Sequence, residues 1–201
     1  MSRSLLTLLA LVVAGCATSH TAAVRKNVAP PGYSINKLVV VGFSKDVATR
    51  QTFEESFARR MSALGTETDT SFGIMPKLED LDDDGALQAA KAKTGADTSV
   101  LVEVVESNEA AQVATGVAFG VWVAALLTGE SDLRRVAWAG SVGTRVAEGD
   151  WTLRITLWNM ADNALLWSID TDSYMQGSLE VEAANLATYV HGELKKDGLV
   201  R

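Results

Sequence analysis

The chain has 201 residues, with 25 acidic against 18 basic side chains and a formal net charge of −7. That balance excludes the basic face expected of a nucleic-acid binder. A single cysteine excludes a disulfide framework, so stability must come from packing, and the length suits one ordinary domain with its own core.

Arg3 and the apolar run Leu5 to Val13 open the chain. Nine residues are too few to span a hydrocarbon core, which needs about 20, so the run reads as the apolar region of an export signal rather than a transmembrane helix. It ends in Val13-Ala14-Gly15-Cys16, small residues directly before the only cysteine. A lone thiol in an exported chain has no disulfide partner and needs another explanation. The arrangement resembles a bacterial lipobox. That resemblance implies a signal peptide over residues 1–15, with Val13, Ala14 and Gly15 recognised by the signal peptidase and Cys16 lipidated. Ala17 and Thr18, where an Asp would signal retention at the inner membrane, imply passage to the outer membrane with the domain facing the periplasm. The mature chain keeps 186 residues, 17 basic and 25 acidic. Such acidity does not draw it to anionic lipid, which leaves the acyl chains as the membrane anchor.

Residues 16–36 read as the lipidated cysteine and a flexible tether. Thr18, Ser19, Thr21, Arg25, Lys26 and Asn27 show no period, and Pro30-Pro31-Gly32 stops any regular element. Fully stretched, residues 17–36 would reach about 65 to 70 Å.

The domain is expected over 37–201. Leu38-Val39-Val40-Val41-Gly42-Phe43 suits a strand buried on both faces. A helix is predicted from Val47 to Leu64, with Phe53, Phe57, Met61 and Leu64 as its buried stripe, and Arg50, Glu54, Glu55, Arg59 and Arg60 on the other side. Gly65 closes it. Phe72 to Met75 reads as a short second strand, Leu87 to Lys93 as a second helix stopped by Gly95, and Ser99 to Val105 as a third, apolar strand. Strands and helices in that alternation define parallel βαβ units.

An insertion at 107–150 breaks the rhythm. Ala110 to Leu127 has only Gln112 and Thr115 as polar side chains, with Gly116 and Gly120 at small-xxx-small spacing. It reads as a helix or strand pair packed on the domain, as a partner interface, or as a membrane-inserting element, since eighteen residues sit at the lower edge of a span. Beyond it, Trp151, Leu153, Ile155 and Leu157 alternate with Thr152, Arg154, Thr156 and Trp158, a half-buried strand. Met160-Ala161-Asp162-Asn163 turns the chain, and Leu165, Trp167 and Ile169 alternate on a returning strand toward Tyr174. A last helix starts near Gly177 or Ser178, buries Leu179, Ala183, Leu186, Val190 and Leu194, and ends at Gly198. The fold class is therefore α/β, a single domain with a mixed sheet in the order βαβαβ, insertion, ββα.

The first strand VVVGF, the strand after Gly95-Ala96-Asp97, the hairpin with Leu165-Leu166-Trp167-Ser168 and the final Lys196-Asp197-Gly198-Leu199 together resemble bacterial lipoproteins with a TolB N-terminal-like fold, the CsgG–LpoB-like group. The resemblance covers Lys37 to Arg201 apart from the insertion. It implies the fold, and it carries no catalytic signature.

A search for chemistry leaves little. Asp80-Leu81-Asp82-Asp83-Asp84-Gly85 fits the opening of a calcium loop, but Lys91 stands where the closing bidentate Glu belongs. The segment reads instead as an acidic turn before the second helix. His20 and His191 have no partners at ligand spacing, so no metal is expected. No nucleophile elbow, phosphate loop or dinucleotide fingerprint is present, and Ser44 at the end of the first strand is explained by helix entry. Trp138, Trp151, Trp158 and Trp167 favour core packing over a glycan surface. The expectation is a non-enzymatic, lipid-anchored outer-membrane lipoprotein without cofactor, binding an envelope protein and no nucleic acid. The alternative is an oligomeric CsgG-like secretion or pore component built through residues 110–146, which would run as a large ring in detergent.

Overall fold

The computed structural model describes residues 20–42, 47–75, 86–107, 149–175 and 178–201. Their elements are β1 (His20–Asn27), β2 (Lys37–Gly42), α1 (Val47–Ala63), β3 (Glu67–Thr70), α2 (Ala86–Thr94), β4 (Thr98–Ser107), β5 (Gly149–Asn159), β6 (Leu165–Met175) and α3 (Leu179–Lys196). The strands form one six-stranded sheet in the order β1-β6-β5-β4-β2-β3. β2 runs parallel to both β3 and β4, while β4, β5, β6 and β1 pair antiparallel in succession. The sheet is mixed, as expected, with one strand more at its start.

Burial follows from pattern. Leu38, Val39, Val40 and Val41 are no more than 6% exposed because β2 lies inside the sheet with both faces covered. One face carries the main core, where Leu38, Val40, Val100, Val102, Ile155 and Ile169 meet Phe57 and Met61 of α1 and Leu186, Val190 and Leu194 of α3. The opposite face carries a smaller core of Val39, Met75, Ala90, Ala96 and Met160 under α2. β3 lies on one side of β2 and β4 on the other, so right-handed connections put α1 and α2 on opposite faces.

Three readings change. Residues 20–27, expected inside a flexible tether, are the edge strand β1, paired to β6 from His20↔Ser173 to Asn27↔Trp167. Residues 28–36 of the expected tether are docked too. Pro30-Pro31-Gly32-Tyr33 is a turn closed by the Tyr33 amide on the Pro30 carbonyl at 3.0 Å, with Gly32 supplying φ +79° at its third position. The Tyr33 hydroxyl meets Thr98 Oγ1 at 2.8 Å and Ile35 is buried. Second, the short strand is Glu67–Thr70, and Ser71 to Ile74 turn instead. An edge strand has one side in water, so the polar Glu-Thr-Asp-Thr suits it, whereas Met75 belongs to the smaller core. Third, Arg50 and Glu54 are 1% and 0% exposed, although their charge suggested a solvated face. Positions 50, 54, 57 and 61 in fact share one helix face by their spacing.

The hairpin and last helix stand where periodicity placed them. α3 begins after Ser178, whose backbone is extended and whose side chain makes no capping bond. It ends in a Schellman motif: the Leu199 amide donates to the Leu194 carbonyl and Gly198, at φ +72°, donates to Lys195. Trp167 is fully buried and its Nε1 donates to Asp197 Oδ2 at 2.7 Å, pinning the helix end to β6. Trp167→Phe keeps most of the ring volume but leaves Asp197 without this donor. It is expected to lower unfolding free energy by about 1–3 kcal/mol in urea titration, and an unchanged midpoint would show that the bond contributes nothing.

Candidate functional site

Val13, Ala14, Gly15 and Cys16 lie outside the described residues, as do Ser44, the Asp80–Gly85 turn, Ala110 to Leu127 and Trp138. What the structure does place is the point where the chain from Cys16 joins the domain. His20 opens β1 four positions after Cys16 and sits opposite Ser173. Ser173 pairs in turn with Trp151, and Trp151 with Ser107. His20, Ser173, Trp151 and Ser107 thus form one row across four strands. The stretch between Ser107 and Gly149 therefore leaves and re-enters the sheet at the same end as the amino-terminal segment. Because β2 and β3 run parallel to β4, Gly42 and Thr70 also point their carboxyl ends that way.

A buried charged cluster ties the elements at that end together. Glu54 Oε1 accepts from the Gly42 amide at 3.0 Å, Arg50 Nε at 2.9 Å and Ser71 Oγ at 2.8 Å, and its Oε2 accepts from the Phe72 amide at 2.6 Å. Arg50 Nη2 donates to Ser71 Oγ at 2.7 Å. The carboxylate thus joins α1 to the ends of β2 and β3, and it can approach because residue 42 is glycine. A Cβ there would stand 3.0 Å from Phe53 Cδ1 and 3.3 Å from Glu54 Cγ. Arg50 Nη1 has no hydrogen-bond partner among the described residues, and the guanidinium lies 5.9 Å from the centre of the Phe72 ring. Ser71 is fully buried, and its hydroxyl donates to Glu54 and accepts from Arg50. The cluster is a clamp, and only the spacing of 50, 54, 57 and 61 could have revealed it.

The second polar row crosses the face opposite α1 and α3. Glu103, Arg154 and Asp170 are register partners on β4, β5 and β6. Arg154 grips Asp170 with two bonds, Nε to Oδ1 at 2.7 Å and Nη2 to Oδ2 at 2.8 Å. Those bonds raise the guanidinium's pKa. Glu103 is 3% exposed, and its Oε1 has no partner among the described residues. Burial pushes its carboxyl up to about 8, with the Arg154 charge opposing and the Asp170 charge adding. Thr152 Oγ1 donates to Asp172 and Trp158 Nε1 to Thr156 Oγ1 beside this row.

Other chemistry is thin. His191 is buried in α3, where burial, then Lys195 and Arg60, hold its pKa below the ordinary value. Among the described residues no three acidic, His or Cys side chains gather to hold a metal, and no helix is long and apolar enough to cross a membrane. The Arg50–Glu54 and Arg154–Asp170 pairs are bonded to each other within the fold.

These residues define an α/β domain on one mixed sheet, with two helices on one face and one on the other. No family model and no curated protein matches the chain. Among solved structures it is similar to the PelC dodecamer from Paraburkholderia phytofirmans, at 15% identity and a TM-score of 0.46 over 91% of this chain and 99% of that one. A variant of the same dodecamer gives 13% identity and 0.43 over 87% and 96%. The lipoprotein GNA1162 from Neisseria meningitidis gives 12% identity and 0.38 over 80% and 98%.

Proposed function

We propose that the protein is an outer-membrane lipoprotein, anchored by lipid on Cys16, whose periplasm-facing TolB-like α/β domain is a non-enzymatic interaction module for an envelope protein. The observation that carries this reading is the run Leu5 to Val13 followed by Ala14-Gly15-Cys16, with no second cysteine for that thiol to pair with. The engaged state of Glu54, Ser71 and Asp170 supports a structural role for the polar clusters. The acidic composition supports a protein partner over nucleic acid.

Cys16→Ser should abolish labelling by radioactive palmitate and leave a soluble or unprocessed precursor after cell fractionation. A variant that still labels and still sediments with membranes sinks the anchor. Crosslinking in intact cells, followed by identification of the captured protein, then tests the interaction role.

A further inference from the structure

We infer that the domain stands end-on to the bilayer, with the sheet end that carries His20, Ser107 and Ser173 turned to the lipid and the opposite end presented to the periplasm. This rests on lipidation of Cys16 and adds a geometry to it. The first support is the length of free chain. Only residues 17–19 separate Cys16 from His20, so the anchored cysteine lies within about 14 Å of the start of β1 even when fully stretched. A 20-residue leash would have allowed roughly 65 Å or more.

The second support is that β1 is held. Beyond its ladder to β6, Arg25 Nη1 meets Glu193 Oε2 at 2.8 Å and Arg25 Nη2 meets Asp197 Oδ1 at 3.1 Å, both at the end of α3. Lys196 and then Arg25 hold the Glu193 carboxyl below the usual range, so this end of α3 stays ionised for the guanidinium. A strand fixed on two sides transmits the position of the lipid to the sheet.

The third support is a second exit at the same end. β4 delivers the chain at Ser107 and β5 takes it back at Gly149. The most apolar stretch after the first sixteen residues begins at Ala110, three positions beyond Ser107. His20 and Ser107 stand three strand spacings apart, about 14 Å. The lipidated end and the connection that holds this apolar stretch therefore leave the sheet at one and the same end. The opposite end carries the Pro30–Tyr33 turn and the exposed turn at Ala161, Asp162 and Asn163. It lies about 24 Å away along β1.

The test uses the full-length lipidated protein in vesicles of phosphatidylethanolamine and phosphatidylglycerol containing headgroup spin-labelled lipid. Asp172→Cys, near the His20 end, and Ala161→Cys, at the other, are each labelled with a maleimide fluorophore, which a lipidated Cys16 cannot take up. Quenching at position 172 should exceed that at 161 at least about threefold, because the two ends differ by more than the reach of contact quenching. Equal quenching at both sites, or stronger quenching at 161, overturns the orientation. Arg25→Glu opposes Glu193 and Asp197, and in a variant with unchanged circular dichroism the difference should collapse while the protein still floats with vesicles. A persisting difference would show that β1 is not what orients the domain. Failure of the parent protein to float, with fluorophore appearing on Cys16, would instead break the lipid anchor itself.

Discussion

Glu54→Ala is expected to lower the unfolding free energy by about 3–5 kcal/mol, the penalty typical of breaking a buried ion pair from one side. Glu54 is wholly buried and accepts four hydrogen bonds. Its removal leaves the Arg50 guanidinium in apolar surroundings with only Ser71 as partner, and leaves the Gly42 and Phe72 amides unsatisfied. Domains are marginally stable, by about 5–15 kcal/mol, so such a loss approaches the whole margin. The paired change Arg50→Met with Glu54→Leu removes both charges together and should recover about half of the deficit. It does not recover all, because the two backbone amides stay without acceptors. Urea denaturation of the parent, the single and the double variant decides this. A single variant within about 1 kcal/mol of the parent would mean that the cluster is decoration.

Glu103→Gln should act in the opposite direction, and the size of its effect depends on pH. In the folded protein the Glu103 carboxyl is raised to about 8 from an ordinary 4.5. Between those values the folded state holds a proton that the unfolded chain has released, so stability falls as pH rises through the window. Its contribution is fully present below about pH 4.5 and lost by about pH 8. At one proton and 1.36 kcal/mol per pH unit, the loss is at most about 5 kcal/mol. Glutamine does not ionise, so the variant should match the parent near pH 5 and exceed it near pH 9, with melting temperatures differing by on the order of 10 °C. Other titrating groups are common to both proteins and cancel in the difference. A gap of the same size at both pH values would show that Glu103 is not the group that titrates.

Most of the sheet could be read from the chain because burial leaves a period. β2 and β4 are covered on both faces and read as runs, the β5–β6 hairpin alternates, and α3 repeats its apolar stripe. The elements that escaped are those whose stability comes from elsewhere in the chain. His-Thr-Ala-Ala-Val-Arg-Lys-Asn has no strand pattern of its own, and β1 exists because β6 has an edge to fill and because Arg25 finds Glu193 and Asp197. Glu67–Thr70 is short and polar, while the apolar Phe72 to Met75 nearby mimics a strand. Arg50 and Glu54 escape because their charge points to water while their spacing points inward, where each neutralises the other. Val13 to Cys16 are legible only as a motif, since they lie outside the described residues.

The pairing of β1 with β6 also sets an order of events. His20 leaves the ribosome long before its partner Ser173. The edge of the sheet cannot close until the hairpin of β5 and β6 is present, since a contact between residues so far apart in sequence carries a large loop-closure penalty and forms late. Throughout that interval residues 20–27 have no strand to pair with. Completion of the hairpin of β5 and β6 then draws residues 20–27 onto the sheet, so the same ladder acts first as a delay and afterwards as a latch.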